Sequence, residues 1–317
     1  MENHSKNLVF FYGSSNPELG KKIAEHLKIP AGKISIKKFA NGEIYAQFCE
    51  NIRGKDVFLL QTAVNPINDN LMELLIMIDA AKRASAGRIT ADTPNYFYAR
   101  QDRKAASREP ITAKLVADLL TVAGANRIIT IDLHSDQTQG FFNIPLDNLP
   151  SATILINKAS ELADENAVVV APDAGSAKKA TKIASRMNLE LAIINKVRLK
   201  HNEAKALNII GADVNGKICL IFDDMVDTGG SLCTAIDMLT ENGAKEVYAL
   251  ITHGILSQDA VEKIEKSSVK KLFVTDTIPL KCESKKIEQL SIAEYLAQAI
   301  KCIHEDESVS VLFHEQD

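Results

Sequence analysis

Short apolar runs of strand length alternate with longer segments of helical periodicity along the whole chain, and this alternation leaves few architectures open. The runs Leu8 to Tyr12, Lys33 to Lys38, Val57 to Gln61, Arg127 to Leu133, Ala167 to Pro172, Leu191 to Asn195, Ile218 to Phe222 and Val247 to Thr252 read as strands. Strand, helix, strand order implies a mainly parallel sheet covered by helices on both faces, hence an α/β fold. Between two of the strands, Asn70 to Ala86 repeats Leu71, Leu74, Leu75 and Ile78 at helical spacing. Asn70 with Glu73 matches a capping box there, and Gly87 is placed as a stop. The same helix is apolar at Met72, Ile76 and Met77, so more than one of its sides is expected to be covered, as at a subunit contact.

The alternating elements are too many for one open sheet of ordinary size, and the polar stretch Asp147 to Thr153, with Pro150, supplies a junction. Two α/β domains of similar size are expected. The 317 residues carry 37 Lys+Arg against 41 Asp+Glu, a formal charge of −4, which argues against a nucleic-acid partner held by phosphate neutralisation. The cysteines Cys49, Cys219, Cys233, Cys282 and Cys302 form no CxxC pair, so neither a disulfide framework nor a zinc ribbon is expected. No apolar run reaches signal-peptide or membrane-spanning length, and a cytoplasmic protein without a membrane partner is the expectation.

The most informative segment follows the strand Ile218 to Phe222: Asp223-Asp224-Met225-Val226-Asp227-Thr228-Gly229-Gly230-Ser231, and then a helical pattern. A buried parallel strand delivers such a loop to the carboxyl edge of its sheet, where ligands of open α/β folds bind. Gly229 and Gly230 permit close backbone approach, the amides opening the helix can hold a phosphate, and the Thr228 and Ser231 hydroxyls add donors. Three carboxylates beside a phosphate cradle fit a sugar phosphate whose hydroxyls, or a bridging Mg²⁺, meet the aspartates. Nearby, Gly211 to Lys217 matches the start of a P-loop pattern, but Ile218 stands where a hydroxyl residue is required and a strand follows, so no nucleotide site is assigned there.

Other segments are ambiguous taken singly. Tyr96 to Pro110 concentrates Arg100, Arg103, Lys104 and Arg108 after a strand, either to receive a polyphosphate or as a solvated charge run. His134 and Asp173 each stand at a strand's carboxyl end, either as ligands of a nucleotide-bound Mg²⁺ or as ordinary polar residues. Lys196 and Arg198 flank one residue, so an extended backbone would point both the same way, toward a transferring phosphoryl group or toward solvent.

Together these segments resemble one family. SNPEL, FANGE, ELLIMIDAAKRASA, YARQDRK, SREPITAKL, DLHSDQTQGFF, APDAG, DDMVDTGG, NGAKEVYA and SVSVLF, spread from about Val9 to Phe313, are similar to the ribose-phosphate diphosphokinases, or phosphoribosyl pyrophosphate synthetases, of the phosphate-regulated bacterial and animal type. The resemblance implies two phosphoribosyltransferase-like domains, 1–149 on the ATP side and 150–317 on the ribose 5-phosphate side, in a homo-oligomer, commonly a hexamer. It implies transfer of the diphosphoryl group of Mg-ATP to O1 of ribose 5-phosphate for nucleotide biosynthesis, with Mg²⁺ as cofactor. By matching motif, Asp223, Asp224, Asp227, Thr228, Gly229, Gly230 and Ser231 would bind ribose 5-phosphate, and Arg100, Gln101 and His134 ATP. Phe39, Asn41 and Glu43 would reach the adenosine from a neighbouring subunit, His134 and Asp173 would sit at the metal, and Lys196 and Arg198 would steady the transition state from a closing loop. Arg53, Arg108, Ser308, Ser310 and Phe313 would form an allosteric site for inorganic phosphate and ADP.

Departures from the family's pattern fall at Phe97, at the polar strand Thr90 to Asn95 with Asp92 inside it, and at Asn51, Ala106 and Ser176. They bear on the ATP entrance and on regulation. Two other readings, a phosphoribosyltransferase and a non-catalytic regulatory homologue, are disfavoured by YARQDRK, by the Lys196 and Arg198 pair and by the intact 223–231 loop.

Overall fold

A computed structural model describes residues 7–197 and 206–313, grouped in two compact units. The first holds the chain up to Pro150, Thr277–Pro279 and the segment from Ser291 onward; the second holds Ser151–Asp276 and Leu280–Leu290.

The first unit contains β1 (Leu8–Tyr12), α1 (Pro17–Leu27), β2 (Ile34–Lys38), β3 (Ile44–Phe48), β4 (Asp56–Leu60), α2 (Ile67–Arg83), β5 (Arg88–Asp92), α3 (Thr112–Ala123), β6 (Arg127–Ile131) and β7 (Leu146–Leu149). Its main sheet has the order β1-β4-β5-β6-β7 and is parallel throughout, while β2 and β3 form a separate antiparallel hairpin. The central β4, DVFLL, is buried at all five positions, as a strand covered on both faces must be. On one face Val57 and Leu59 join Leu74, Met77 and Ile78 of α2 and Val116 and Leu120 of α3 in a single apolar cluster.

The second unit contains α4 (Ala152–Ser160), β8 (Val168–Ala171), α5 (Ala177–Met187), β9 (Glu190–Val197), β10 (Ala206–Gly211), β11 (Ile218–Val226), α6 (Gly230–Glu241), β12 (Glu246–Gly254), α7 (Ala260–Lys266), β13 (Lys271–Thr275) and β14 (Ile287–Leu290). Its seven strands run in the order β10-β9-β8-β11-β12-β13-β14, with only β10 antiparallel.

The last helix, α8 (Ala293–His304), returns to the first unit, although the sequence division at 149/150 counts it with the second half. It packs against α1, and Leu296, Ala297, Ile300 and Ile303 are among its buried residues. A polar clamp secures its end. His304 Nδ1 lies 2.7 Å from Asp56 Oδ2, Arg88 Nε donates to Asp56 Oδ1 at 2.8 Å, and Arg88 Nη2 donates to the Ile303 carbonyl at 2.8 Å.

Helix α2 departs from the sequence reading at both ends. It opens at Ile67 after Pro66, so Asn70 lies inside it and donates to the Val64 carbonyl, while Glu73 accepts from Ser14 and Gln61 and makes no capping box. It stops at Arg83, with Ser85 at φ 59 beyond it, so Gly87 is not the stop. Gly87 is needed for a different reason: a Cβ there would lie 2.8 Å from the Gly54 carbonyl oxygen. Met72 is 52% exposed in the single chain.

Asp92 and Phe97, both unusual for the resemblance, are both fully buried. Phe97 belongs to the apolar cluster beneath α2 and α3, which accounts for it by packing. Asp92 lies between Leu60 of β4 and Ile129 of β6, and neither carboxylate oxygen has a hydrogen-bond partner. Burial alone pushes its pKa up to about 8, so the side chain is largely neutral at pH 7. The folded state therefore holds a proton that the unfolded chain releases near pH 4, and stability falls as pH rises from about 4 to about 8. Asp92→Val is expected to raise the melting temperature by roughly 5 °C at pH 8, with a smaller gain at pH 5, in calorimetric scans across that range. A pH-independent gain would show that Asp92 is not the titrating group.

Candidate active site

Strand β11 is nine residues long, and Asp223 and Asp224 belong to the strand itself, Asp223 paired across from Ile251 of β12. On its other side β11 outlasts its neighbour, since pairing with β8 ends at Ile221. The chain of β8 turns away through Asp173, and the two aspartates of β11 stand on this uncovered shoulder. Asp223 accepts from the Asp224 amide at 2.9 Å. Its pKa is nevertheless pushed up, first by burial, then by the negative charge of Asp224, with a further contribution from Asp173. Three carboxylates thus crowd one strand end, an arrangement that a cation or several hydroxyl donors would relieve.

Beyond Asp227 the chain must reverse into α6. Gly229 makes this possible at φ 75, in the left-handed region, and α6 begins at the next residue. No side chain caps this helix start, so the first-turn amides keep their capacity to bind an anion, with the Thr228 and Ser231 hydroxyls beside them. The sequence-expected residues 223–231 therefore form one continuous surface, carboxylates at the strand end and amide donors at the helix start.

Asp173 lies two residues past β8 and is exposed. Its Oδ1 accepts from the Ser176 amide at 3.0 Å, and its carbonyl from the Ser176 hydroxyl at 3.0 Å, which gives the unusual serine a local role. His134 lies three residues beyond β6, exposed, rather than on the strand. The Arg100 segment is a structured loop. Gln101 donates its amide to the Tyr98 carbonyl at 2.9 Å and accepts at Oε1 from Thr112 at 2.5 Å, and Glu109 gathers the amides of Ala105 and Ala106 at 2.7 and 2.8 Å. Arg100, Arg103, Lys104 and Arg108 remain exposed.

Phe39, Asn41 and Glu43 occupy the tip of the β2–β3 hairpin. Phe39 and Glu43 bond across it at 2.8 Å, Gly42 turns it at φ 93, and the Phe39 ring stays 54% exposed with an edge contact to Tyr45. Lys38 at the base of this tip binds Asp69, and Tyr98 before Arg100 binds Asn68, so both segments fasten to the first turn of α2. Neither Asn68 nor Asp69 carries any sequence signal for this role. Lys196 lies on β9, its backbone opposite Leu207 of β10, and Arg198 lies outside the described residues.

The expected allosteric residues do not share one edge of the first sheet. Arg53 precedes β4 and donates to Ser85 Oγ at 3.2 Å, and Ser308, Ser310 and Phe313 follow the clamped end of α8, all at the strands' amino edge. Ser308 and Ser310 join hydroxyls at 2.7 Å. Arg108, in the loop that follows β5, belongs to the carboxyl edge. Among the described residues no group of three His, Cys, Asp or Glu side chains is arranged to hold a metal, and no helix is long and apolar enough to cross a membrane.

Family models match the chain in two places: the N-terminal domain of ribose phosphate pyrophosphokinase over residues 8–124, and the phosphoribosyl synthetase-associated domain over residues 196–314. A ribose-phosphate pyrophosphokinase of Clostridium perfringens is 52% identical across 99% of this chain and 100% of its own length. One from Neisseria meningitidis is 48% identical across 98% and 96%. The crystal structure of phosphoribosylpyrophosphate synthetase from Mycobacterium smegmatis superposes with a TM-score of 0.90 at 44% identity, covering 95% of this chain and 99% of that one.

The two glycines of the loop predict contrasting substitutions. Gly229→Ala places a Cβ on a left-handed backbone and is expected to cost about 1 kcal/mol. Gly230, with nothing nearer to a new Cβ than Thr228 Oγ1 at 4.0 Å, should accept alanine without loss of stability. Denaturant unfolding of the two variants measures the difference, and equal costs would contradict the backbone argument.

Proposed function

The chain belongs to the ribose-phosphate pyrophosphokinase family, and we propose that its sugar substrate is held by Asp223, Asp224, Asp227 and the Thr228–Ser231 turn. The enzyme transfers the diphosphoryl group of ATP to O1 of ribose 5-phosphate, giving 5-phosphoribosyl 1-pyrophosphate and AMP. The observation that carries the site assignment is the junction of β11 and α6, where carboxylates are followed immediately by an uncapped helix start opened by Gly229. Amides and hydroxyls there suit the 5-phosphate, and the aspartates suit the ring hydroxyls.

ATP is assigned to Arg100, Gln101 and His134, with Phe39, Asn41 and Glu43 at the exposed hairpin tip. Arginines and an exposed aromatic ring match a triphosphate and a base. Mg²⁺ enters with ATP as part of the substrate. Magnesium carried on a triphosphate needs only one or two protein oxygens, which Asp173 and the crowded Asp223 and Asp224 can offer; a closed cage of three ligands is not required. In the reaction the sugar's O1 attacks the β-phosphorus, and the bond from that phosphorus to the oxygen of the α-phosphate breaks as AMP departs. Lys196 and Arg198 are assigned to the negative charge spread over the transferring group.

The separation of Arg53, Ser308, Ser310 and Phe313 from Arg108 supports a homo-oligomer, a hexamer in our reading, in which one subunit's carboxyl edge meets another's amino edge to bind inorganic phosphate or ADP. The cytoplasm, where ATP and ribose 5-phosphate are both at hand, is the assigned compartment. With ATP, Mg²⁺ and ribose 5-phosphate, the purified protein should release AMP together with 5-phosphoribosyl 1-pyrophosphate; AMP no greater than in a no-sugar control would overturn the activity. Lys196→Ala should lower kcat by roughly 10²- to 10³-fold with ATP affinity nearly intact by equilibrium binding. Lost ATP binding at unchanged turnover would reassign the lysine.

A further inference from the structure

The acidic loop is strapped to the segment that follows β12. The amides of Ile255 and Leu256 both donate to the Val226 carbonyl, at 2.9 and 3.2 Å, and the Ser257 amide donates to the Asp227 carbonyl at 3.0 Å. The Ser257 hydroxyl also donates to Asp227 Oδ1. On either side of Ser257, Leu256 and Gln258 have φ of 50 and 55. A left-handed backbone is unfavourable for a branched or long side chain and persists only where surrounding bonds over-determine it. From α7, Lys263 Nζ approaches the Thr228 carbonyl at 3.4 Å while paired with Asp259 at 2.8 Å. The bonds from Ile255, Leu256, Ser257 and Lys263 all converge on residues 226–228, directly before the phosphate-holding turn.

We propose that Ser257 is a positioning residue that fixes the Asp227 carboxylate for the pentose. The inference rests on the assignment of 223–231 to ribose 5-phosphate. Asp227 stands two residues before the glycine that caps α6, and a carboxylate there is itself an anion competing for the same helix-start amides. Rotated toward α6, it would occupy or repel the phosphate position. Bonded through Oδ1 to Ser257, it is held to the β12 side with its orientation set, and the hydroxyl donor offsets part of its charge. The two strained residues keep the serine aimed at it.

The test compares Ser257→Ala, Ser257→Thr and Asp227→Ala by steady-state kinetics in both substrates, with thermal melts of each protein. Ser257→Ala is expected to raise the KM for ribose 5-phosphate roughly tenfold, with the KM for ATP and the melting temperature close to the parent's. Ser257→Thr, which keeps the hydroxyl, should recover most of that loss, and its retained donor keeps the comparison usable if the alanine variant does not fold. A rise in both KM values together, or a threonine variant as impaired as alanine, overturns the positioning role. So does a silent Ser257→Ala alongside an Asp227→Ala that weakens ribose 5-phosphate. An Asp227→Ala with an unchanged KM for ribose 5-phosphate removes the loop assignment itself.

Discussion

A parallel strand inside a two-sided α/β sheet has its backbone groups satisfied by neighbouring strands and its side chains pressed into apolar layers, so it can offer polar chemistry only where a neighbour ends. β11 is built on this constraint. Its first five residues, Ile218 to Phe222, are buried, and the polar residues begin where β8 has stopped pairing. The carboxylates of Asp223 and Asp224 are not placed by a flexible loop. They inherit the rigidity of a strand still paired to β12, and only the last turn, at Gly229, is left to conformational freedom.

The first unit uses the same constraint at both ends of its sheet. Its carboxyl edge carries the Arg100 loop, fastened through Tyr98 to the first turn of α2. Its amino edge is closed by the clamp of Asp56, Arg88 and His304. These groups are 10%, 29% and 7% exposed at the side chain, so removing one member would strand charge in a poorly solvated position. The clamp fixes where α8 ends and hence where Ser308 and Ser310 begin. Asp92 shows the cost of breaking the pattern: a carboxyl group in mid-sheet, without a donor, that burial keeps protonated.

Strands that were apolar at successive positions were legible from the sequence because burial on both faces leaves a strong signal. β14 left little, because its four residues include Glu288 and Gln289. The start of α2 is hidden because Asn70 and Glu73 imitate a capping box, while their side chains serve partners outside the helix, Val64, Gln61 and the distant Ser14, that the capping pattern does not encode. The placement of α8 in the first unit was equally hidden, since it depends on contacts to α1, Asp56 and Arg88, all more than two hundred residues earlier in the chain. In the candidate site, Asp223 to Ser231 was legible because strand end, glycines and helix start are contiguous. Ser257, Asn68 and Asp69 were not, because each acts on a residue far away in sequence and belongs to no compositional cluster.

The electrostatics of the β11 end set what kind of ligand it can take. Asp224 and Asp173 both raise the pKa of Asp223, so a further anion next to them is disfavoured, while an anion at the α6 amides is favoured. A ligand that satisfies both must be dipolar in its chemistry, with hydroxyls or a cation at one end and a phosphate at the other. A free phosphate meets only the amides, and a neutral sugar meets only the carboxylates. Asp227 lies between the two zones, and a swing of its one carboxylate toward either would erase the distinction; its tether to Ser257 is what keeps them apart.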